Sequence, residues 1–504
     1  MSALKKYLES HDLSKIDVST IAYIANLEKS AEVAPNIASA IVKELRDQRS
    51  KLKLIASENY CSLSTQLTMG NLLTDKYAEG FPQTRFYEGC DNIDTIEGFA
   101  ASQACKLFGA DHAYVQPHSG ADANMVAFWG ILQAKIAVPS LEEMGVKNPA
   151  ALSHEDWEII REKLGNQRMM GLDLAAGGHL THGYRFNVSG RMFEAFNYGV
   201  SEKDGLIDYD AIEEMAKEVK PLILLAGYSA YPRKIDFKRF REIADKVGAV
   251  LMVDMAHFAG LVAGKVFTGV YNPVEYAHVI TTTTHKTLRG PRGGMVLSNG
   301  EFGEYMDKGC PLVLGGPLAH VMAAKAVAFT EALKPEFQEY AQNIVTNADA
   351  FATECQNLGM SVVSGGTDNH LFLIDAVSSY GLSGRQAAAA LSACGITLNK
   401  NGIPFDKESP MITSGLRIGT AAITSLGMDS DAVKEIANII ANVLKNTKAG
   451  VVQSGKNAGK PSKIAIILDD KIVEDAKESV QKLLNRFVLY PELDLEFLEE
   501  QFCN

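Results

Sequence analysis

An α/β fold with a mainly parallel sheet is predicted for this 504-residue chain by three observations. From about residue 221 onward, apolar strand-like runs alternate with amphipathic helical stretches, the rhythm of βαβ units. The stretch 279–294, VITTTTHKTLRGPRGG, joins a β-branched run to a glycine- and proline-rich turn, so a strand ends at or just before Lys286. The stretch 113–128, AYVQPHSGADANMVAF, reads as strand, glycine turn and helix, an arrangement whose helix-start N–H groups can hold a phosphate.

The totals agree with that class and exclude others. The length allows two or three domains with an ample core. With 46% hydrophobic and 22% charged residues, the chain is neither disordered nor fibrous. A net charge of −12 argues against non-specific binding to nucleic acid or anionic membranes. The cysteines at 61, 90, 105, 310, 355, 394 and 503 are odd in number, scattered and without a C-x-x-C pair. Neither a disulfide framework nor a zinc site is therefore expected. The opening MSALKKYLESHDL lacks the apolar core of a secretory signal, and no run is long enough to span a bilayer, so a cytoplasmic location is expected.

In chain order, residues 1–56 read as a helical arm, with Ile21, Ile24 and Leu27 at helical spacing. LIASENY at 54–60 reads as a strand running into a turn. KYAEGFPQTRFYEG at 76–89 is a loop marked by Gly80, Pro82 and Gly89, and it carries Tyr77, Glu79, Arg85 and Tyr87. That mixture suits a binding loop and surface decoration equally. A helix is expected over 93–108, with Ile96, Phe99, Ala100, Ala104 and Leu107 on its apolar face.

A polar insertion follows at 135–170, with a helix at 154–164 capped by Ser153. GGHLTHG at 177–183 sets His179 and His182 between glycines. The spacing suits a metal pair, but no cysteine or third histidine stands nearby in sequence. An aromatic lid or a hydrogen-bonded loop histidine accounts for it as well.

PLILLAGYSAY at 221–231 is an apolar strand ending near Ser229 and Tyr231, and 237–248 is an amphipathic helix. VLMVDMAHFAG at 250–260 is a strand that closes on Asp254, with His257 beyond it. A carboxylate after four apolar residues must be capped, paired or functional, because an unpaired one is costly to bury. Further on, a long helix is expected at 331–359, strands around a turn at 360–376, and a strand-like stretch at 415–424. By itself, Arg417 in that stretch reads as a surface arginine on an edge strand. A mobile linker is expected at 445–463, and a charged amphipathic helix ends the chain.

Four features combine into one chemistry: Lys286 at a strand end, Asp254 at another, the Ser119–Gly120 helix start, and Arg417. A lysine in the crevice of an α/β sheet can be desolvated and form a Schiff base. Asp254 would pair with a pyridinium nitrogen, the glycine turn would hold a phosphate, and Arg417 would grip an amino-acid carboxylate. Together they suggest a pyridoxal phosphate enzyme.

The wording of the motifs goes further. LIASENY, KYAEG, PHSGxxAN, GGHLTHG, VDMAHFAGL, TTTTHKTLRGPRGG, GGPLAHV, TLNKN and SGLRIGT occur in that order between about residues 54 and 425. On these the chain resembles the serine hydroxymethyltransferase (glycine hydroxymethyltransferase) family. The resemblance implies a pyridoxal-phosphate-dependent transferase of fold type I, with a mostly parallel seven-stranded sheet in its large domain and a smaller C-terminal α/β domain. Mapped here, residues 1–56 form the arm, 57–333 the large domain and 334–504 the small one.

The implied reaction is the reversible conversion of serine and tetrahydrofolate to glycine and 5,10-methylenetetrahydrofolate, through an external aldimine of pyridoxal 5′-phosphate. Lys286 is then the Schiff-base lysine, Asp254 the pyridinium partner, His257 the ligand of the ring hydroxyl, and His179 stacks on the ring. Ser119, Gly120 and Ser229 surround the cofactor, Thr283 and His285 flank the lysine, and Ser57 and Arg417 hold the substrate carboxylate. A homodimer or higher homo-oligomer with shared active sites is implied. The neighbouring subunit supplies Tyr77, Glu79 and Tyr87, with Gly315 and Gly316 at the phosphate and Glu79 transferring a proton near the one-carbon unit. Folate contacts map onto Leu174, Gly178, His179, Leu180, Asn401, Ser409, Pro410 and Met411. No metal, membrane or nucleic-acid partner is expected.

Four positions depart from the family pattern. Phe86 replaces a second tyrosine, Ala121 a serine of the phosphate turn, Ala176 a histidine before GGH, and Leu314 a glutamine before GGPL. These changes reshape the expected cofactor and folate contacts without removing the central groups. Another fold-type I enzyme, such as a threonine aldolase, would share Lys286, Asp254 and Arg417 but would not need Leu174, Leu180 and Asn401. A non-catalytic folate-binding homologue is the alternative that retention of Lys286 and Glu79 opposes. Slow racemase, aldolase or transaminase side reactions are also compatible with the chemistry.

Overall fold

A computed structural model describes residues 2–455 and 458–503. Its centre is a seven-stranded sheet made of β1 (His112–Tyr114), β2 (Arg168–Leu172), β3 (Glu194–Tyr198), β4 (Ile223–Gly227), β5 (Val250–Asp254), β6 (Val279–Thr283) and β7 (Gly294–Ser298). The order across the sheet is β1-β7-β6-β5-β4-β2-β3. Only β7 runs against its neighbours, and the rest are aligned.

Sequence explains the two-sided burial of this sheet. Strands β4 to β7 are apolar or β-branched at almost every position, as strands covered on both faces must be. Alternation then sends Leu224, Leu251, Val253, Ile280 and Leu297 into one core. Ile223, Leu225, Val250, Met252, Val279 and Val296 enter a second core under the helix Gly120–Leu132. Because the five central strands are parallel, the carboxyl ends of β4, β5 and β6 meet at one edge, where ligand crevices form in such sheets.

A second sheet of β8 (Ser361–Val362), β9 (Leu371–Asp375), β10 (Asn399–Asn401) and β11 (Gly415–Gly419) is antiparallel throughout, in the order β8-β9-β11-β10. The helices Ala3–Ser10, Val18–Val33 and Pro35–Ser50 make up the N-terminal arm. They do not stand apart: Tyr7, Ile24, Leu27 and Leu45 share a core with Leu489, Leu493 and Leu498.

Several expectations need correction. The strand anticipated in LIASENY lies earlier, at Leu52–Lys53, where it pairs in parallel with Ile396–Thr397; residues 54–60 are irregular. On the helix Asp91–Phe108, Phe99 is 49% exposed while Glu97 is buried. The reason is a charge pair, since Arg85 donates to Glu97 at 2.6 Å and Gln116 donates to its other oxygen at 2.8 Å.

The insertion carries the expected helix, His154–Gly165, with the Ser153 hydroxyl accepting from the Asp156 amide. Its last residues, 168–170, belong to β2 of the central sheet. The long helix expected around 331–359 is Pro335–Asn357, whose first turn suits Pro335 because it lacks an N–H; residues 331–332 end the preceding helix, Ala319–Ala332. The stretch read as a linker contains Lys448–Val451 and part of Pro461–Ile467, paired antiparallel; residues 456–457 lie outside the described residues. Two helices, Asp470–Leu484 and Leu495–Phe502, close the chain.

Candidate active site

Asp254 ends β5, where four apolar residues carry the chain through the core to the crevice. It is 7% exposed, and both oxygens are engaged. Oδ2 accepts from Asn124 Nδ2 at 2.9 Å and lies 3.2 Å from His182 Nε2, and Oδ1 accepts from the Ala256 amide at 3.0 Å. Burial alone would raise its pKa, but the nearby imidazoles of His182 and His179 and the Asn124 amide hold it well below the usual carboxylate range. It is therefore an anion at neutral pH.

Asn124 comes from the helix Gly120–Leu132 and is itself fixed. It accepts from Thr281 Oγ1 at 2.5 Å and donates to Thr181 Oγ1 at 2.7 Å, and Thr181 lies 2.7 Å from His179 Nδ1. One polar chain thus links β5, β6, the helix start and the 177–183 loop. Burial pushes the His179 pKa down to about 4, so its ring is neutral at pH 7.

Lys286 follows β6 by three residues, and its Nζ donates to Thr283 Oγ1 at 3.3 Å. Its carbonyl accepts from Asn59 Nδ2 at 2.8 Å, which ties the LIASENY segment to the lysine. Burial pushes the Lys286 amine down to about 8; Asp254 opposes the shift, and Arg417 and Arg292 add to it. Roughly a tenth of the amine is then neutral at pH 7, far more than for a lysine at its ordinary value, and the neutral amine is the nucleophile. Beside it, burial takes His285 to about 3, with the charges of Lys286 and Arg292 contributing.

The turn after Lys286 needs glycine at 294 for space. A Cβ there would lie 2.2 Å from the Ser119 carbonyl oxygen. This close approach places β7 against the start of the helix Gly120–Leu132, where the Ser119 side chain caps the Asp122 amide at 3.1 Å. Gly177 is required for conformation as well as space: its φ is +102°, and a Cβ would come within 2.8 Å of the Ala230 backbone. Its carbonyl accepts from the amides of Ser229 and Ala230 at 2.7 and 3.0 Å.

Arg417 is not on an edge. Its strand, β11, lies between β9 and β10, and its guanidinium donates to the Ser229 carbonyl at 2.7 Å and to Asn399 Oδ1 at 3.1 Å. Burial takes its pKa only to about 10, so it stays cationic. His257 Nδ1 lies 3.1 Å from Nε2 of His370 at the head of β9. Burial holds both imidazoles low, His370 at about 3.

These groups surround a cavity of about 880 Å³. Its wall includes Ser57, Ser119, Gly120, His179, Ser229, Asp254, His257, Thr283, His285, Lys286 and Arg417. Leu174, Gly178, Leu180, Asn401 and Pro410 also line it. Ser409 and Met411 flank Pro410 without reaching the wall, and Met411 is exposed.

Tyr77, Glu79, Tyr87, Gly315 and Gly316 are not on that wall either. They belong to another surface, where the Tyr87 and Tyr77 hydroxyls donate to Glu79 at 3.0 and 3.3 Å. A Cβ on Gly316 would sit 3.1 Å from the Tyr77 ring. Of the departures from the family pattern, Ala121 lines the main cavity and Ala176 and Leu314 are buried. Phe86, 66% exposed, lines a separate groove of about 280 Å³ with Phe81, Pro311 and Leu312.

Some wall residues carried little sequence signal, among them Tyr228, Arg292, Lys400, Asp406 and Glu408. Asn124 lies in PHSGxxAN with nothing local to mark its role, and nothing in the sequence around His370 sets it apart. Folding also brings a carboxylate beside the two histidines that sequence spacing left alone: side-chain N and O atoms of His179, His182 and Asp254 lie within 4.8 Å of one another.

A family model described as serine hydroxymethyltransferase matches residues 30–155 and 159–440. The chain is 58% identical over 501 residues to serine hydroxymethyltransferase of Treponema pallidum (strain Nichols), covering 99% of this chain and 86% of the relative. It is 52% identical over 474 residues to that of Cutibacterium acnes, covering 94% and 96%. With the Salinispora tropica protein of the same name it shares 53% over 479 residues, covering 95% and 99%.

Proposed function

The chain belongs to the serine hydroxymethyltransferase family, and from that premise we propose how its cavity performs the family's reaction. That reaction is the reversible conversion of serine and tetrahydrofolate to glycine and 5,10-methylenetetrahydrofolate, with pyridoxal 5′-phosphate as cofactor. The observation that carries the assignment of residues is one cavity holding both an amine depressed to about 8 and a buried carboxylate held anionic.

The residues fit the cofactor. Lys286 offers an amine for its aldehyde, Asp254 an acceptor for its ring N–H, and His257 a partner for its ring hydroxyl. The Ser119 hydroxyl and the first amides from Gly120 suit its phosphate. Neutral His179 can stack on the ring without adding a second positive charge, and Ser229 lies beside it. When bound, the cofactor supplies an electron sink for negative charge developing at the substrate α-carbon.

The chain's own residues do the rest. Asp254, fixed by Asn124 and Ala256, keeps a proton on the ring nitrogen. Arg417 turns its fork to the substrate carboxylate, joined by Ser57. Thr283 orients the Lys286 amine, which accepts and returns protons at its Nζ, and His285 screens that position. Leu174, Gly178, Leu180 and Asn401 form the folate side of the cavity, with Ser409, Pro410 and Met411 toward its rim.

The cluster of Tyr77, Glu79, Tyr87, Gly315 and Gly316 serves the cavity of a second copy, which makes the working unit a homodimer or larger homo-oligomer. Glu79 is its proton-transfer group. The large domain spans 57–333 and the small domain 334–504, with 1–56 as the arm. No described helix is long and apolar enough to cross a membrane, and we assign the protein to the cytoplasm. The test is titration of the cofactor-loaded protein with glycine and then tetrahydrofolate. A folate-dependent change in visible absorbance with serine–glycine exchange is expected; exchange indifferent to folate contradicts the reading.

A further inference from the structure

Lys325 is almost wholly closed off from solvent, 1% exposed. It lies in the helix Ala319–Ala332, which also buries Met322, Ala326 and Phe329. An ammonium there costs several kcal/mol unless its donors are satisfied. All three are: Nζ donates to the carbonyls of Val115 at 2.6 Å, Pro117 at 2.9 Å and Gly294 at 2.8 Å.

Those carbonyls have a common location. Val115 and Pro117 carry the chain from β1 to the Ser119–Gly120 turn, and Gly294 opens β7. The Gly294 amide donates to the Pro117 carbonyl at 2.9 Å, and the Gly294 backbone packs on the Ser119 carbonyl. A Cβ on Gly293 would lie 2.6 Å from Lys325 Cε, so the lysine passes through space that glycine leaves open. No ion pair of Lys325 is found among the described residues: Glu97 is engaged by Arg85 and Gln116, and like Asp122 it influences the lysine through space. Burial pushes the amine down to about 7, and a nearby dianion would favour its charged form.

We propose that Lys325 is a positioning residue for the phosphate end of the cofactor: it clamps the backbone that leads into the Ser119–Gly120 turn, together with the Gly294 backbone packed on that turn, and places a positive charge behind it. The proposal rests on the reading that this turn holds the cofactor phosphate. A lysine that served only to tie three carbonyls together would support the whole cavity equally. A lysine acting on the phosphate would favour ligands that carry one.

The experiment compares pyridoxal 5′-phosphate with pyridoxal, which lacks the phosphate, for uptake by cofactor-free wild type, K325M and K325Q, followed by absorbance of the bound aldehyde. Both variants should bind pyridoxal phosphate roughly ten- to hundredfold more weakly, while pyridoxal affinity changes less than about threefold. The advantage conferred by the phosphate would thereby shrink. Should K325M fail to fold, K325Q, which keeps an N–H donor without the charge, gives the same comparison. Equal weakening of both ligands, or no weakening of either, overturns the proposal while leaving the cofactor assignment standing. Failure of the wild type to take up pyridoxal phosphate overturns both.

Discussion

The Asn124 side-chain amide donates to Asp254 Oδ2 at 2.9 Å, tying the carboxylate at the end of β5 to the helix that starts at Ser119–Gly120. The same contact couples the proposed ring-nitrogen partner to the proposed phosphate cradle. Replacing Asp254 with Asn removes the anion with little change in volume. Turnover should fall by about a hundredfold or more while the fold is retained, as measured by kcat alongside a thermal melt. Turnover near that of the wild type would exclude Asp254 from the mechanism.

Arg417 should act on substrate rather than on cofactor. Arg417→Lys keeps a charge but loses the planar fork, and Arg417→Ala loses both. The KM for serine should rise roughly tenfold in the first and a hundredfold in the second, with pyridoxal phosphate content unchanged. Equal serine KM values across the series would contradict the role.

The separation of Glu79 from the Lys286 cavity makes a sharp prediction about assembly. Glu79→Gln should retain cofactor yet lose most folate-dependent exchange, and Lys286→Ala should be inactive. Mixed dimers pair the intact Lys286 of one chain with the intact Glu79 of the other. Unfolding and refolding the two variants together should therefore restore up to about a quarter of wild-type activity, the share of intact sites in a random mixture. No recovery in verified mixed dimers would argue that each cavity is completed within its own chain.

Burial holds His179 near 4 and His285 and His370 near 3, against an ordinary value of 6.5. The unfolded chain therefore binds more protons than the folded one as pH falls from about 6.5 toward 3, and stability is lost across that window. The cofactor-free protein should melt lower at pH 5 than at pH 7, by on the order of a few degrees. His370→Gln should narrow the difference, and a variant with the wild-type difference would remove His370 from the effect.

The groups of the proposed site were legible because each stands where one pattern gives way to another: Asp254 after VLMV, Lys286 after the threonines, Ser119 before a helix. Such residues announce themselves by interrupting a pattern. Phe99 misled because periodicity weighs hydrophobicity alone, whereas Arg85 and Gln116 draw Glu97 into the core. The long helix starts at Pro335, four residues after Glu331, and β2 is hidden at the end of a polar insertion. Lys325 resembles a solvated helix lysine until three carbonyls from distant segments are found around it. The placement of Tyr77 and Glu79 away from the cavity likewise depends on long-range packing, which no local motif encodes.

The proposed role of the Lys286 amine, depressed to about 8, as the covalent anchor of the cofactor is open to direct measurement. Cofactor-free protein should be mixed with pyridoxal 5′-phosphate across pH 6.5–10, reduced with borohydride, and mapped by peptide mass spectrometry. One modified residue is expected, Lys286, with an uptake rate that rises with pH and levels off above about 8 as the neutral amine becomes dominant. Modification spread over surface lysines, or undiminished uptake by Lys286→Ala, would contradict it.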